Sequence, residues 1–211
     1  TNTRGDLQFN SAMAYLEPAS ARENLTLWAD TVVERVLLSG TTATGVRVRR
    51  DGVTRDVTAA QVVLCAGAVN TPQLLMLSGI GDAAHLQSHG IDVVADRPGV
   101  GANLQDHLEI YMQFQASQPV TLYKYWNLWG KAAIGAQWLL TGKGLGASNQ
   151  FEACAFIRSK PGVEYPDIQY HFFPMAINYD GSSLASEHGF QAHVGPMRSK
   201  SRGMVTLRSA N

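Results

Sequence analysis

One stretch constrains this chain more than any other: Gly67-Ala68-Val69-Asn70-Thr71-Pro72-Gln73-Leu74-Leu75-Met76-Leu77-Ser78-Gly79-Ile80-Gly81. It follows Val62-Val63-Leu64-Cys65-Ala66, a nearly continuous apolar run that reads as a strand buried on both faces. The small residues at Cys65-Ala66-Gly67 leave backbone uncovered, so a bulky ligand can lie against it. A tight helix–sheet junction without a ligand would use the same small residues. Thr71 reads as a helix cap with Pro72 at the first helical position, where a missing N–H costs nothing. The helix is expected to run through Leu77 and stop at Gly79, and Asp82 to cap a short second helix that closes at Gly90.

The 211 residues suffice for one large domain or two modest ones, and 45% apolar content is ordinary for a protein with a core. Seventeen basic residues balance seventeen acidic ones, so nothing argues for nucleic acid as a partner. No apolar run approaches the ~18 residues of a membrane span, which still leaves room for peripheral contact with a membrane surface. Cys65 and Cys154 fall in strand-like runs without CxxC spacing and read as small buried apolar residues. The chain opens on Thr1 without a signal-peptide pattern and closes just after a strand-like run, so both ends read as cuts within a longer protein.

Strand signals cover 25–29, 31–38 and 45–50, and Asp51-Gly52 is a hairpin turn leading to a partner at 53–58. A short helix is expected over 9–16. Beyond it all, 108–115, 151–157, 168–173, 190–194 and 204–207 read as strands, with a long helix over 122–140 that carries Trp126, Trp129 and Trp138. The expected fold class is α+β, a mixed α/β part at 1–105 plus an antiparallel sheet with covering helices at 106–211. Gly79-Ile80-Gly81-Asp82-Ala83-Ala84 fits GxGxxA, but helical residues precede it where a dinucleotide fingerprint needs a strand. It reads as a linker between helices, and no other such fingerprint follows a strand.

The 67–81 segment, together with Pro98-Gly99-Val100-Gly101-Ala102-Asn103-Leu104-Gln105-Asp106-His107, resembles the glucose–methanol–choline family of flavin-dependent alcohol oxidoreductases. The resemblance implies FAD as cofactor, and that the α/β part at 1–105 is a partial FAD-binding domain. It places Cys65, Ala66, Gly67 and Asn103 close to the flavin and the backbone of Val33, in Val33-Glu34-Arg35-Val36, at the adenine edge. It also implies that the diphosphate-binding loop and the catalytic histidine lie outside this chain. No catalytic residue and no metal ligand are therefore assigned within it, and Asp106-His107 is as readily a turn-stabilising pair. The chain alone is expected neither to retain FAD tightly nor to turn over an alcohol.

In the second half, Gly146–Ala153, Ile168–Phe172, Ala176–Tyr179, Glu187–Phe190 and Met197–Gly203 are similar to the choline-oxidising members of that family. A quaternary ammonium donates no conventional hydrogen bond and is held by aromatic faces and a carboxylate. Glu152 falls where those members place a glutamate against the trimethylammonium group. A solvated carboxylate at a strand edge is the other reading. Phe151, Tyr170, Trp126 and Trp129 are candidate cage walls, each equally suited to plain packing. Arg198 stands about where a choline-oxidising relative has a histidine, which puts that histidine's role here in doubt. The spacing of His171, His188 and His193 matches no metal cluster. The expected partner is a small alcohol, choline first, with the electron acceptor undefined, in a bacterial cytoplasm or at the cytoplasmic face of its inner membrane. Another alcohol, or a non-catalytic domain of the same fold, remains an alternative.

Overall fold

The computed structural model describes residues 3–4, 7–151, 153–178 and 187–210. Its contacts gather the chain into two units, one of residues 1–25 and 107–199, the other of 26–106 and 200–211. Each is discontinuous in sequence.

The chain begins with a two-residue pairing of β1 (Thr3–Arg4) and β2 (Leu7–Gln8), then a helical stretch that is π-wound over Ala12–Leu16 and continues as α1 (Glu17–Ala19). The expected strand at 25–29 does not form; the Trp28 ring instead receives the Arg55 guanidinium at 4.3 Å. In the unit of 26–106 and 200–211, an antiparallel meander joins β3 (Val32–Ser39), β4 (Thr42–Arg50) and β5 (Val53–Thr58). Asp51 and Gly52 both take positive φ at the β4–β5 turn, as a primed two-residue turn requires. Register places Arg47 opposite Asp56, and their bidentate pair holds the guanidinium above, and the carboxyl below, its usual range, mainly through the hydrogen bonds they share. Both side chains are exposed, so this pair adds little stability.

The helix α2 (Gly67–Leu77) begins earlier than expected. Positive φ at Gly67 turns the chain into it, and Pro72 lies inside it rather than at its first position. Thr71 acts as a cap from within, its Oγ1 accepting from the Ala66 N–H at 3.1 Å. The preceding run, 62–66, forms no regular element and pairs with no strand among the described residues, and Val63 is 74% exposed. Cys65 is exposed rather than buried. An apolar run becomes a buried strand only where neighbours complete its ladder on both edges, and none flanks it here.

At the C-terminus of α2 the buried Ser78 hydroxyl donates to the Leu74 carbonyl and accepts from the Val36 N–H at 2.8 Å, tying helix to sheet. Gly79, at φ +85, ends the helix, and any Cβ there would press on the Asp92 carbonyl. The GxGxxA sequence then forms β6 (Ile80–Gly81), the Asp82 cap and the start of α3 (Ala83–Ser88), whose His85 N–H donates to Asp82. β6 pairs in parallel with β7 (Ala95–Asp96). Residues 203–207 run beside this layer, the Val205 N–H donating to the Gly101 carbonyl. Among the described residues their one β-bridge joins Gly203 to Leu104, so the strand expected at 204–207 does not form. Leu207 closes the core with Met76 and Leu86, flanked by Val100 and Val205.

In the other unit, β8 (Ile110–Gln115), β9 (Ala153–Ile157), β10 (Ile168–Phe173) and β11 (Gly189–Pro196) form an antiparallel sheet in the order β8-β11-β10-β9. Cys154 lies on its edge strand β9 and is exposed, against the expectation of burial. The expected long helix divides into a 3₁₀ turn over Leu122–Tyr125 and α4 (Leu128–Thr141). Asn127 caps α4 by accepting from the Gly130 N–H, and Gly142, in the left-handed region, ends it. α4 packs chiefly on the 3₁₀ turns at 122–125 and 145–147 and has no buried residue, so it is not the expected cover of the sheet. Its apolar side chains surround the axis instead of forming one stripe, which leaves no single face to dock. Trp129 is 82% exposed.

Candidate functional site

The two units carry separate candidate regions. In the first, α2 and the loop after β7 enclose an open cleft of about 360 Å³. Ala68, Thr71 and Pro72 line one side, with Ala102, Asn103 and Gln105 opposite. Pro72 has no N–H to offer the Ala68 carbonyl one turn back, so backbone polarity is left at this wall. Asn103 holds φ +59, a conformation that asparagine tolerates better than most residues. Gly101 is required beneath the wall, since a Cβ would collide with the Val205 carbonyl oxygen.

No charged side chain lines this cleft; its polar side chains are one hydroxyl and two amides. With no cation to meet a phosphate, such a lining suits a neutral, flat heteroaromatic ring better. Of the sequence-derived cofactor residues, Asn103 is in the lining. Cys65, Ala66 and Gly67 lead into it on exposed backbone, and a Cβ on Gly67 would meet only open space.

Val33 is outside the lining, on β3. β3 is an edge strand, and the Val36 N–H already faces away from β4 toward Ser78. The pairing slips by one residue between Val33 and Arg35, which shifts the alternation so that Val33 also turns its peptide groups to the open edge. Without that bulge Glu34 would occupy this role.

The second region is one face of the four-stranded sheet. Period-two alternation puts Gln113 of β8, Gln169 and His171 of β10, and Gln191 and His193 of β11 on the same side. Gln191 is 3% and His193 8% exposed, and their polar atoms form a chain. Gln191 Oε1 accepts from the Ile177 N–H at 3.0 Å and from Gln113 Nε2 at 3.1 Å. A backbone N–H only donates, so the Gln191 amide cannot turn over, and its NH₂ faces His193 Nε2 at 2.7 Å. That nitrogen must accept. The ring proton is therefore on Nδ1, which donates to Glu109 Oε1 at 2.7 Å. In this arrangement His193 is a neutral imidazole beside a carboxylate.

Phe151 packs into this chain. Its ring stacks on Phe173 with centroids 5.0 Å apart and meets His193 and His171 edge-on at 5.6 and 6.2 Å. Tyr170 alternates with His171 and Phe173 on β10, so it belongs to the opposite face. The structure does not bring Tyr170 and Phe151 together. Trp126 already holds the Lys131 ammonium at 3.9 Å from its ring centroid, and Trp129 projects from α4 into solvent. Glu152 lies outside the described residues. His107 Nδ1 contacts the Pro196 carbonyl at 3.1 Å, and His188 Nδ1 contacts Thr121 Oγ1 at 2.8 Å. Among the described residues, no cluster of three His, Cys, Asp or Glu side chains could hold a metal, and no helix is long and apolar enough to cross a membrane.

Sequence reasoning missed Glu109, Gln113 and Gln191. The signal was there: Glu109, Tyr111, Gln113 and Gln115 alternate with Ile110, Met112 and Phe114, as on a sheet with one polar face.

A comparison of sequences gives the family: residues 2–109 match the GMC oxidoreductase family model, and the chain belongs to that family. It is 58% identical over 205 residues to the oxygen-dependent choline dehydrogenase of Brucella ovis, covering 97% of this chain and 37% of that protein. The namesake from Rhizobium etli is 54% identical over 203 residues, covering 96% and 37%. The chain thus spans a little over a third of the length of these curated relatives. Among solved structures it is similar to pyridoxine 4-oxidase from Mesorbium loti (TM-score 0.79, 26% identity, 100% of this chain and 38% of that one). Formate oxidase shares the fold at 23% identity (TM-score 0.83, 90% and 39%).

Proposed function

We propose that this chain is part of an FAD-dependent GMC oxidoreductase that oxidises choline to betaine aldehyde, in a bacterial cytoplasm or at the inner face of its membrane. The observation that carries the reading is 58% identity across nearly the whole chain to a protein named for that substrate. The similarity runs through the sheet of 107–199 as well as the family-defining segment of 67–81.

The unit of 26–106 and 200–211 is assigned the flavin side and the sheet of 107–199 the substrate side. Oxidation takes two electrons from the alcohol: its carbon loses a hydride, its hydroxyl loses a proton, and a carbonyl forms. FAD, when bound, supplies the hydride acceptor. This chain's own residues bind and orient. The Val33 peptide edge offers hydrogen bonds to an adenine, and the wall of Ala68, Thr71 and Asn103 offers one face to a neutral ring. Cys65, Ala66 and Gly67 let that ring approach backbone. Phe151 offers an aromatic surface to the trimethylammonium group, and Glu152, next in the chain, its counter-charge. Tyr170, on the other sheet face, is a weaker candidate for the same cage. None of this chain's residues is assigned the hydroxyl proton.

The test compares choline with its neutral carbon isostere, in which a tert-butyl group replaces trimethylammonium. The full-length protein is expected to show kcat/KM at least about tenfold higher for choline, the discrimination one desolvated charge contact provides. Equal values would indicate an enzyme for uncharged alcohols.

A further inference from the structure

We propose that Glu109 is a second recognition carboxylate for a quaternary ammonium group, presented by His193 beside Phe151. The inference rests on the function proposed above and adds a specificity-determining residue to it.

The tautomer of His193 decides how its ring meets Glu109. Were this imidazole charged, it would cancel the Glu109 carboxylate as an ordinary ion pair. Instead the Ile177 N–H fixes the Gln191 amide, the Gln191 NH₂ occupies His193 Nε2, and the ring approaches Glu109 as a neutral N–H donor. The carboxylate is oriented and yet keeps its full negative charge. Its Oε1 is engaged by His193, while Oε2 takes no hydrogen bond among the described residues, and the side chain is 38% exposed.

The surroundings define what such a charge attracts. Among the described strand residues, the register from Tyr111 to Phe156 places no lysine or arginine on this face. Tyr111 stacks on the His193 ring at 5.8 Å, and Phe151 meets the same ring edge-on. Glu109 and Phe151 therefore touch one imidazole. A primary ammonium would seek several acceptors in fixed directions. A methylated ammonium needs only negative potential and aromatic surface, which this arrangement supplies. Glu109 acts through potential, without direct contact being required, so its effect is smaller than that of a carboxylate against the cation.

The test uses the full-length protein with Glu109→Gln, which keeps an oxygen acceptor for the His193 N–H and removes only the charge, and with Glu109→Asp, which keeps the charge. Two readouts are taken: the choline-to-isostere ratio of kcat/KM, and the Kd of tetramethylammonium by calorimetry. Glu109→Gln is expected to lower the ratio and raise the Kd, each roughly fivefold, the effect of one charge several ångströms away in a partly solvated setting. Glu109→Asp should restore part of both. An unchanged Kd, or parallel losses for both alcohols, would overturn the inference. Glu152→Gln measured alongside separates the two proposals. If it abolishes choline preference while Glu109→Gln leaves preference and Kd intact, the function stands and this inference falls. If the wild type has no choline preference, the proposed function falls, and the tetramethylammonium Kd in Glu109→Gln still decides the role of Glu109.

Discussion

Glu152→Gln in the full-length protein is expected to lower kcat/KM for choline about a hundredfold, while the value for the neutral isostere changes less than about threefold. Glutamine preserves the shape and an acceptor oxygen and deletes the charge. A quaternary ammonium makes no directional hydrogen bonds, so a counter-charge and aromatic surface are all that distinguishes it from a tert-butyl group. Loss of a close, desolvated charge partner costs about 2–5 kcal/mol, and a hundredfold effect lies near the low end of that range. Phe151, the preceding residue, is fixed by Phe173, His171 and His193, so the variant should change binding potential without disturbing the aromatic packing. Steady-state kinetics with the two alcohols checks it. Parallel losses for both would mean that residue 152 supports structure and does not read charge.

The second large effect concerns stability. Leu86→Ala is expected to cost about 3 kcal/mol, typical of a fully buried leucine in a site that cannot collapse. Leu86 is 0% exposed and packs with Met76 and Leu207. Three separate parts of the chain meet there: α2, α3 and the 203–207 segment, the last secured where His85 Nε2 accepts from the Leu207 N–H. Val100 and Val205 belong to the same cluster and also line the cleft. The substitution should therefore loosen the cleft wall as well as lower the urea midpoint, by about 1–2 M. Urea titration followed by circular dichroism gives the midpoint. An unchanged midpoint would show that this cluster does not hold the unit together.

Elements specified by neighbouring residues were legible in the sequence. Asp51-Gly52 dictates its hairpin because both residues accept positive φ, and Asp82 and Gly90 bracket α3 through a side-chain cap and a left-handed stop. Elements that depend on distant partners were not. The 62–66 and 204–207 runs have strand composition, but pairing is decided by what lies alongside, and neither acquires a ladder. Thr71-Pro72 resembled a helix start because capping chemistry is the same whether the cap lies before the helix or, as here, inside it and reaching back to Ala66.

The candidate site divides along the same line. The small residues at 65–67 and the Val33 strand could be named from local pattern, yet the bulge that turns Val33 outward exists only in the β3–β4 register. Phe151 and Tyr170 looked equivalent as aromatics; strand parity turns Tyr170 to the far face, while Phe151, ahead of β9, packs its ring on Phe173 and His193. The chain from Glu109 through His193 to Gln191 joins residues more than 80 positions apart, and only the β8–β11 pairing assembles it.

The central claim is that choline is the reductant of a flavin held by the protein to which this chain belongs. Its most direct test is anaerobic titration of the purified full-length protein with choline while flavin absorbance is followed. The account predicts a bound flavin whose oxidised band is lost as choline is added, with one betaine aldehyde formed per flavin reduced. A flavin that stays oxidised with choline but is bleached by a neutral alcohol, or a protein that carries no flavin, would contradict it.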